Sequence, residues 1–493
     1  MKKAYHIVQW HSLRAYLAIS FLLVAILVTQ IGTADAGEAN LSKYTDSLDR
    51  ELHRRLNDIR TLRKMNYPAS VQRFYQGKGM IFNWIDGNVN IGATASAMLM
   101  LDCVRQFGLE RENYHPDIVN YEVMRKAMDG KLSVGTDAKI DFEIFLTDAM
   151  ISMANHLHYG RFNPVFDRKK IESGQPIPFR AEEFLLQVAM DNQLMYAISL
   201  LQPKMPQYKH LQEYLRLMTG QYTCDSYEVS DQQIKKIAIN LERLRWNSTD
   251  STSYLRINIP SFELEYVDGD STMIYRLVVG KPSSPTPLLQ GLITQIETAP
   301  DWLIPQNIFI NELLPQAEKD PLFFGRNQMT VYDTKGKLLS INRQTLRDIR
   351  NRPQDFKAKQ SSGCDNALGN VVFRFDNRYG VYLHDTPLKQ YFERKKRALS
   401  HGCIRVEFAV DLARKILAAD DNADALKSFD IAIANGKKKR YPLNSALPII
   451  ISYQTIDVRD GLLVDYYDTY QLDNQLIAKM YARNKVAAVS IKK

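Results

Sequence analysis

The period of the hydrophobic pattern changes at the polar segment Asn247-Ser248-Thr249-Asp250-Ser251-Thr252, and the change divides the chain into two kinds of structure. Before it, apolar residues recur at helical spacing: Leu52, Leu56, Ile59 and Leu62, then Phe184, Leu185, Val188, Leu194, Ala197, Ile198 and Leu201 ahead of Pro203. Ile234, Ile237, Ile239, Leu241 and Leu244 continue it in the amphipathic segment Gln232–Trp246. Residues three and four apart share one helix face, so these stripes predict core-facing helices from about residue 42 to residue 246. After the linker the period falls to two. Leu255, Ile257 and Ile259 alternate with Tyr254, Arg256 and Asn258, while Phe262–Tyr266 and Tyr275–Val279 flank Asp268-Gly269-Asp270, a hairpin signal. Gly369–Phe375 and Gly380–His384 predict a second strand pair, Leu447–Tyr453 a further strand, and Phe408–Leu417 a short helix. The charged, mixed stretch 309–363, with a helix expected at Thr345–Asn351, is long enough to be a lid or subdomain rather than a structureless loop.

Bulk properties bound the class. A chain of 493 residues exceeds one ordinary core, and its 45% hydrophobic and 24% charged content is that of a folded globular protein. The net charge of +9 favours an anionic polymer or surface as partner. No nucleic-acid recognition module accompanies it, so nucleic acid is not expected. Lys2, Lys3 and Arg14, the apolar run Ala15–Ile31 and the small-x-small site Ala34-Asp35-Ala36 predict an export signal over residues 1–36. The alternative is an uncleaved membrane anchor through residues 15–31, a run slightly short of the ~20 residues a span prefers. Either way the body of the protein is expected outside the cytoplasm, in the periplasm or cell envelope. The four cysteines, Cys103, Cys224, Cys364 and Cys403, are too sparse for a disulfide framework, although a bridge between Cys103 and Cys224 is conceivable.

The chemistry concentrates in Tyr382-Leu383-His384-Asp385-Thr386-Pro387 and Ser400-His401-Gly402-Cys403-Ile404-Arg405. A thiol of reference pKa about 8.5 is mostly protonated at neutral pH and needs a base to become a nucleophile. Cys403 is the candidate nucleophile and His384 the candidate base. Alternation in a strand puts Tyr382 and His384 on one side, Val381 and Leu383 on the other. Gly402 permits a tight turn, and the Gly402 and Cys403 amides are candidate oxyanion donors. A zinc site of His384, His401 and Cys403 is the competing reading, but the spacing fits none of the usual ligand pairs and no metal is expected. His156-Leu157-His158 also looks like a ligand pair; two residues apart on a helix they point to different sides, which predicts a helix-end surface instead.

The stretch Gly369–Glu407, with its histidine strand and Ser-His-Gly-Cys-Ile-Arg box, resembles the L,D-transpeptidase catalytic domain. The resemblance to the large murein members extends to Ile257–Leu264, Val278–Pro282, Pro300–Pro305 and Leu313-Leu314-Pro315. Leu146-Thr147-Asp148-Ala149 and His158-Tyr159-Gly160 resemble their helical scaffold. Only Thr219–Gln232 lies where those members carry a peptidoglycan-binding helical module, too few residues to form one.

The resemblance implies an α+β chain: residues 1–36 signal peptide, 40–246 an α-helical scaffold domain, 253–435 a β-rich catalytic domain with an inserted lid at about 309–363, and 436–493 a C-terminal extension packing on one of them. It implies acyl transfer on peptidoglycan stem peptides without a cofactor. Cys403 attacks the carbonyl of the third residue, commonly meso-diaminopimelate, of a tetrapeptide donor; D-alanine leaves, and an acceptor stem's amine then forms a 3→3 cross-link. His384 carries the protons, oriented by a backbone carbonyl rather than an acidic residue. Gly402 supplies an oxyanion amide, Ser400 and His401 stand with the catalytic residues, Tyr382 binds substrate, and Arg405 either binds a substrate carboxylate or fixes the loop. The basic runs Arg394–Arg397 and Lys437–Arg440 are either solvated faces or attractors of the carboxylate-rich stems. L,D-carboxypeptidase activity at the same site, or a non-catalytic wall-binding scaffold, is the alternative; labelling of Cys403 by a carbapenem-type acylating agent separates the last from the enzymes.

Overall fold

The computed structural model describes residues 49–85, 91–128, 136–189, 193–219 and 230–481. The expected signal segment and Cys224, and with it the Cys103–Cys224 bridge, lie outside these residues, as does most of Thr219–Gln232. The fold is α+β, a helical scaffold followed by a β-rich domain with an inserted subdomain, and the chain forms two compact units.

The first unit comprises the described residues up to 101 together with 112–153 and 172–195, and it is helical. Its core is organised by polar side chains on the helix Thr136–His158. The carboxylate of Asp148 accepts from the backbone N–H groups of Asn66 (2.7 Å) and Tyr67 (2.8 Å) and bonds His115 Nε2 (2.6 Å). Helix Pro68–Lys78 has no side-chain cap of its own at Tyr67; the Glu172 carboxylate accepts from its first-turn Ala69 and Ser70 N–H groups (2.8 and 3.1 Å), while Asp148 holds the segment that leads into it. One turn earlier, buried Glu143 accepts from the Trp84 N–H (2.9 Å) and the Tyr75 hydroxyl (2.9 Å), and burial pushes its carboxyl up to about 7. Asp148→Ala is expected to cost about 3 kcal/mol, because three donors lose their acceptor at once. Urea unfolding checks this, and a loss below about 1 kcal/mol would contradict it.

The second unit holds residues 102–111, 154–171 and everything described from Tyr196 onward. Its strands are β1 (Ser253–Asn258), β2 (Glu263–Asp268), β3 (Ser271–Gly280), β4 (Leu289–Thr298), β5 (Trp302–Leu303), β6 (Met329–Asp333) and β7 (Phe356–Gln360). They continue with β8 (Val371–Phe375), β9 (Leu383–His384), β10 (Ala398–Ser400), β11 (Ile404–Val406), β12 (Lys439–Ser452), β13 (Ile456–Arg459) and β14 (Leu462–Asp465). Nine of them form one sheet in the order β10-β3-β11-β9-β8-β4-β12-β1-β2, and a β2–β3 pairing brings the order back on itself. β2 and β3 are the expected hairpin, closed at Asp268↔Ser271 around Gly269, whose φ of 57° suits a residue without Cβ. The buried face carries Leu255, Ile257, Ile259, Leu277, Ile293, Phe373, Leu383, Ile404 and Ile449, with helix Ala409–Ala419 packing Leu412, Ile416 and Leu417 into the same core.

Three features depart from the period-based reading. Residues 439–452, expected in a C-terminal extension, form β12, which sits inside the sheet between β4 and β1. Helices Pro206–Thr219 and Asp231–Trp246, expected with the scaffold, share a core with Ile456 and pack Val458 and Leu463 from the β13–β14 hairpin. His156, expected on a surface, is buried, and desolvation drives its pKa well below the ordinary histidine value.

The inserted segment builds its own three-stranded sheet, β5-β7-β6, and its own core of Ile304, Phe309, Leu314, Phe324, Val331, Leu346, Ile349 and Phe356. Helix Arg343–Asn351 within it is capped by Asn342, whose side chain accepts from the Thr345 N–H (2.9 Å).

Candidate active site

β9 and β11 run parallel and adjacent, with Leu383 opposite Ile404 and His384 opposite Arg405. Alternation therefore lays Tyr382 beside Cys403 and His384 beside Arg405, all four toward one cavity of about 370 Å³. Trp302, Pro305, Ile308, Glu312 and Leu313 of the inserted subdomain line it from another side. The expected alternation holds for Leu383, which is in the core, while Val381, although buried, lines the cavity with Tyr382 and His384.

His384 is buried, and its Nδ1 lies 2.5 Å from the Asp385 carbonyl. A carbonyl accepts only, so Nδ1 carries the proton and Nε2 keeps the lone pair. Burial, then the Arg405 guanidinium, lower its pKa to about 3, so the ring is neutral at physiological pH. Burial also pushes the Cys403 thiol up; the Tyr382 N–H, the Tyr382 phenol and Arg405 pull in the other direction without overcoming it. The resting pair is thus a neutral thiol and a neutral imidazole, not an ion pair. The hydrogen bonds at the sulfur come from Tyr382, whose phenol also takes a bond from Trp302 and whose ring lies under Arg374, with the guanidinium carbon 5.3 Å from the centroid.

The turn ahead of the thiol is braced on both sides. The Ser400 hydroxyl donates to the Cys403 carbonyl (2.5 Å) and accepts from the Gly402 N–H (3.2 Å). Thr286 donates its hydroxyl to the Gly402 carbonyl (2.8 Å) and accepts from the Gly280 N–H (2.9 Å). Gly402 adopts φ 114°, a conformation side chains rarely accept, so glycine is required by the turn itself. The Gly402 amide expected at an oxyanion is thus engaged by Ser400. Pinning the Gly402 carbonyl fixes the plane of the next peptide and so the direction of the Cys403 N–H.

His401 lines the same cavity; its Nε2 bonds Glu312 Oε1 (2.5 Å) and lies 3.3 Å from Lys281 Nζ. Arg405 reaches the cavity with its guanidinium carbon 5.5 Å from the Tyr391 ring centroid. Of the basic runs, Arg397 donates to the Leu277 and Phe262 carbonyls (3.0 and 3.1 Å) and Lys438 pairs with Asp301 (2.8 Å), so both runs include structural residues. Glu312, Thr286 and Arg374 had no local signal; Trp302 lay in a segment notable only through resemblance.

Residues 252–438 match the YkuD model, the L,D-transpeptidase catalytic domain, and residues 69–215 match the scaffold domain model. The chain thus carries an L,D-transpeptidase catalytic domain with a scaffold domain ahead of it. It is 32% identical over 243 residues to a Haemophilus influenzae protein provisionally named an L,D-transpeptidase, spanning 49% of this chain and 49% of that protein. The chain thus covers about half the length of that curated relative. A cysteine-to-serine mutant of the Enterococcus faecium L,D-transpeptidase overlaps 42% of this chain and 53% of its own at 12% identity and a TM-score of 0.19. Mycobacterium tuberculosis L,D-transpeptidase 1 overlaps 41% and 63% at 12% identity and a TM-score of 0.15. Overlaps this slight carry no argument about fold or function.

Proposed function

We propose that the chain is an exported cysteine transpeptidase that joins peptidoglycan stem peptides by 3→3 cross-links. The observation that carries this is the shared cavity wall of Cys403 and His384, with the imidazole fixed as the Nδ1–H tautomer by Asp385. His384 Nε2 takes the thiol proton as Sγ attacks the carbonyl of the third donor residue. The Cys403 N–H faces the developing oxyanion. The imidazolium gives its proton to the departing D-alanine amine, leaving an acyl-thioester. The side-chain amine of an acceptor stem then attacks, losing a proton to His384 and releasing the thiol. Ser400 positions the turn, His401 tethers it to the lid through Glu312, and Tyr382 positions the sulfur. The N-terminal apolar segment supports export to the periplasm.

The test is incubation of the protein with disaccharide-tetrapeptides, followed by mass spectrometry. Dimers lacking one D-alanine are expected; dimers formed equally by Cys403→Ala would refute the mechanism. Release of D-alanine without dimers would identify the hydrolytic sibling. The raised thiol adds a pH signature: without donor, alkylation of Cys403 by iodoacetamide should climb through an inflection above the ordinary thiol range of about 8.5. An inflection at or below neutrality would mean a resting ion pair instead.

A further inference from the structure

The unexplained group in the cavity is Arg405. Neighbouring guanidiniums are satisfied: Arg374 pairs with Glu297 (3.3 Å) and Arg276 with Glu407 (2.7 Å). Arg405 has no carboxylate within ion-pair distance among the described residues, and its Nε and Nη1 are buried with no hydrogen-bond partner. A part-buried cation whose buried nitrogens have unmade hydrogen bonds is costly and is retained where a ligand completes it. Its planar fork matches a carboxylate bidentately.

We infer that Arg405 receives the carboxylate of the residue that leaves, and thereby measures the donor to one residue past the scissile bond. This rests on the transpeptidase reading above. The register sets the geometry. Arg405 stands opposite His384 and two residues beyond Cys403, so the imidazole that protonates the departing amine and the guanidinium are neighbours. In a terminal amino acid the amine and the carboxylate share one carbon. A leaving amine held at His384 therefore places its own carboxylate against Arg405. A donor one residue longer would present an amide there, which cannot complete the ion pair. The guanidinium also favours thiolate, but the thiol remains raised despite it, so that is not its main effect in the free protein.

The test compares two disaccharide-tetrapeptide donors, one ending in D-alanine and one in D-alaninamide, by release of the terminal residue. The wild-type kcat/KM should favour the free acid by on the order of 10²-fold. Arg405→Gln should bring the acid-to-amide ratio to within a few-fold of one, and Arg405→Lys, keeping charge but losing the fork, should fall between. The ratio cancels any effect of the substitution on thiol or imidazole, since both donors share them. A wild-type protein that uses both donors equally overturns the assignment without any variant, and would point to the carboxylate of the third residue as the ligand. An undiminished ratio in Arg405→Gln also overturns it. If the wild type releases neither terminal residue, or Cys403→Ala releases both, the transpeptidase reading fails and this inference with it.

Discussion

Cys403→Ala is expected to abolish D-alanine release, a loss on the order of 10⁴-fold or more, while the protein stays folded. The effect is large because no other group can form the acyl intermediate: Ser400 is occupied in bracing the turn, and His401 is held by Glu312. The cost to the fold is small, since removing Sγ frees the Tyr382 phenol but leaves the Ser400 and Thr286 braces in place. Release measured by coupled D-alanine oxidation, beside a thermal melt, checks both halves. Retained release with a native melt would contradict the assignment.

His384→Gln is expected to lower release by about 10²- to 10⁴-fold, the usual contribution of a positioned acid–base group. It carries a second signature. The folded pKa of about 3 lies below the unfolded value of about 6.5, so between them the unfolded chain binds the extra proton. This histidine therefore contributes a loss of stability as pH falls from 6.5, amounting to about 2 kcal/mol by pH 5. His384→Gln should lack that part of the acid destabilisation, and identical pH dependence of unfolding in the two proteins would place the ring in solvent.

The legible parts of the fold were those set by local period. The helix read at Gln232–Trp246 spans Asp231–Trp246, and the hairpin around Gly269 closes where its turn residues indicated. Alternation placed Leu255, Ile257 and Ile259 in the core, but it left Arg256 as a polar-face residue. Arg256 is buried, bonded to Glu265 (3.0 Å) and facing Asp457, because the segment after β12 covers that face. The place of β12 between β4 and β1 was equally invisible, since a strand's pattern does not name its partners. In the cavity, the two segments that the spacing from His384 to Cys403 singled out line one wall. The groups that adjust them could not be read, because Thr286, Glu312 and Arg374 reach the turn or the thiol from distant segments.

The most direct test is intact-protein mass spectrometry after rapid quenching into acid with a tetrapeptide donor. A mass increase equal to the donor minus D-alanine, mapped to Cys403, slowed in His384→Gln and missing in Cys403→Ala, is the expected result. Cross-linked product accumulating with no adduct on that sulfur at any quench time would contradict the account.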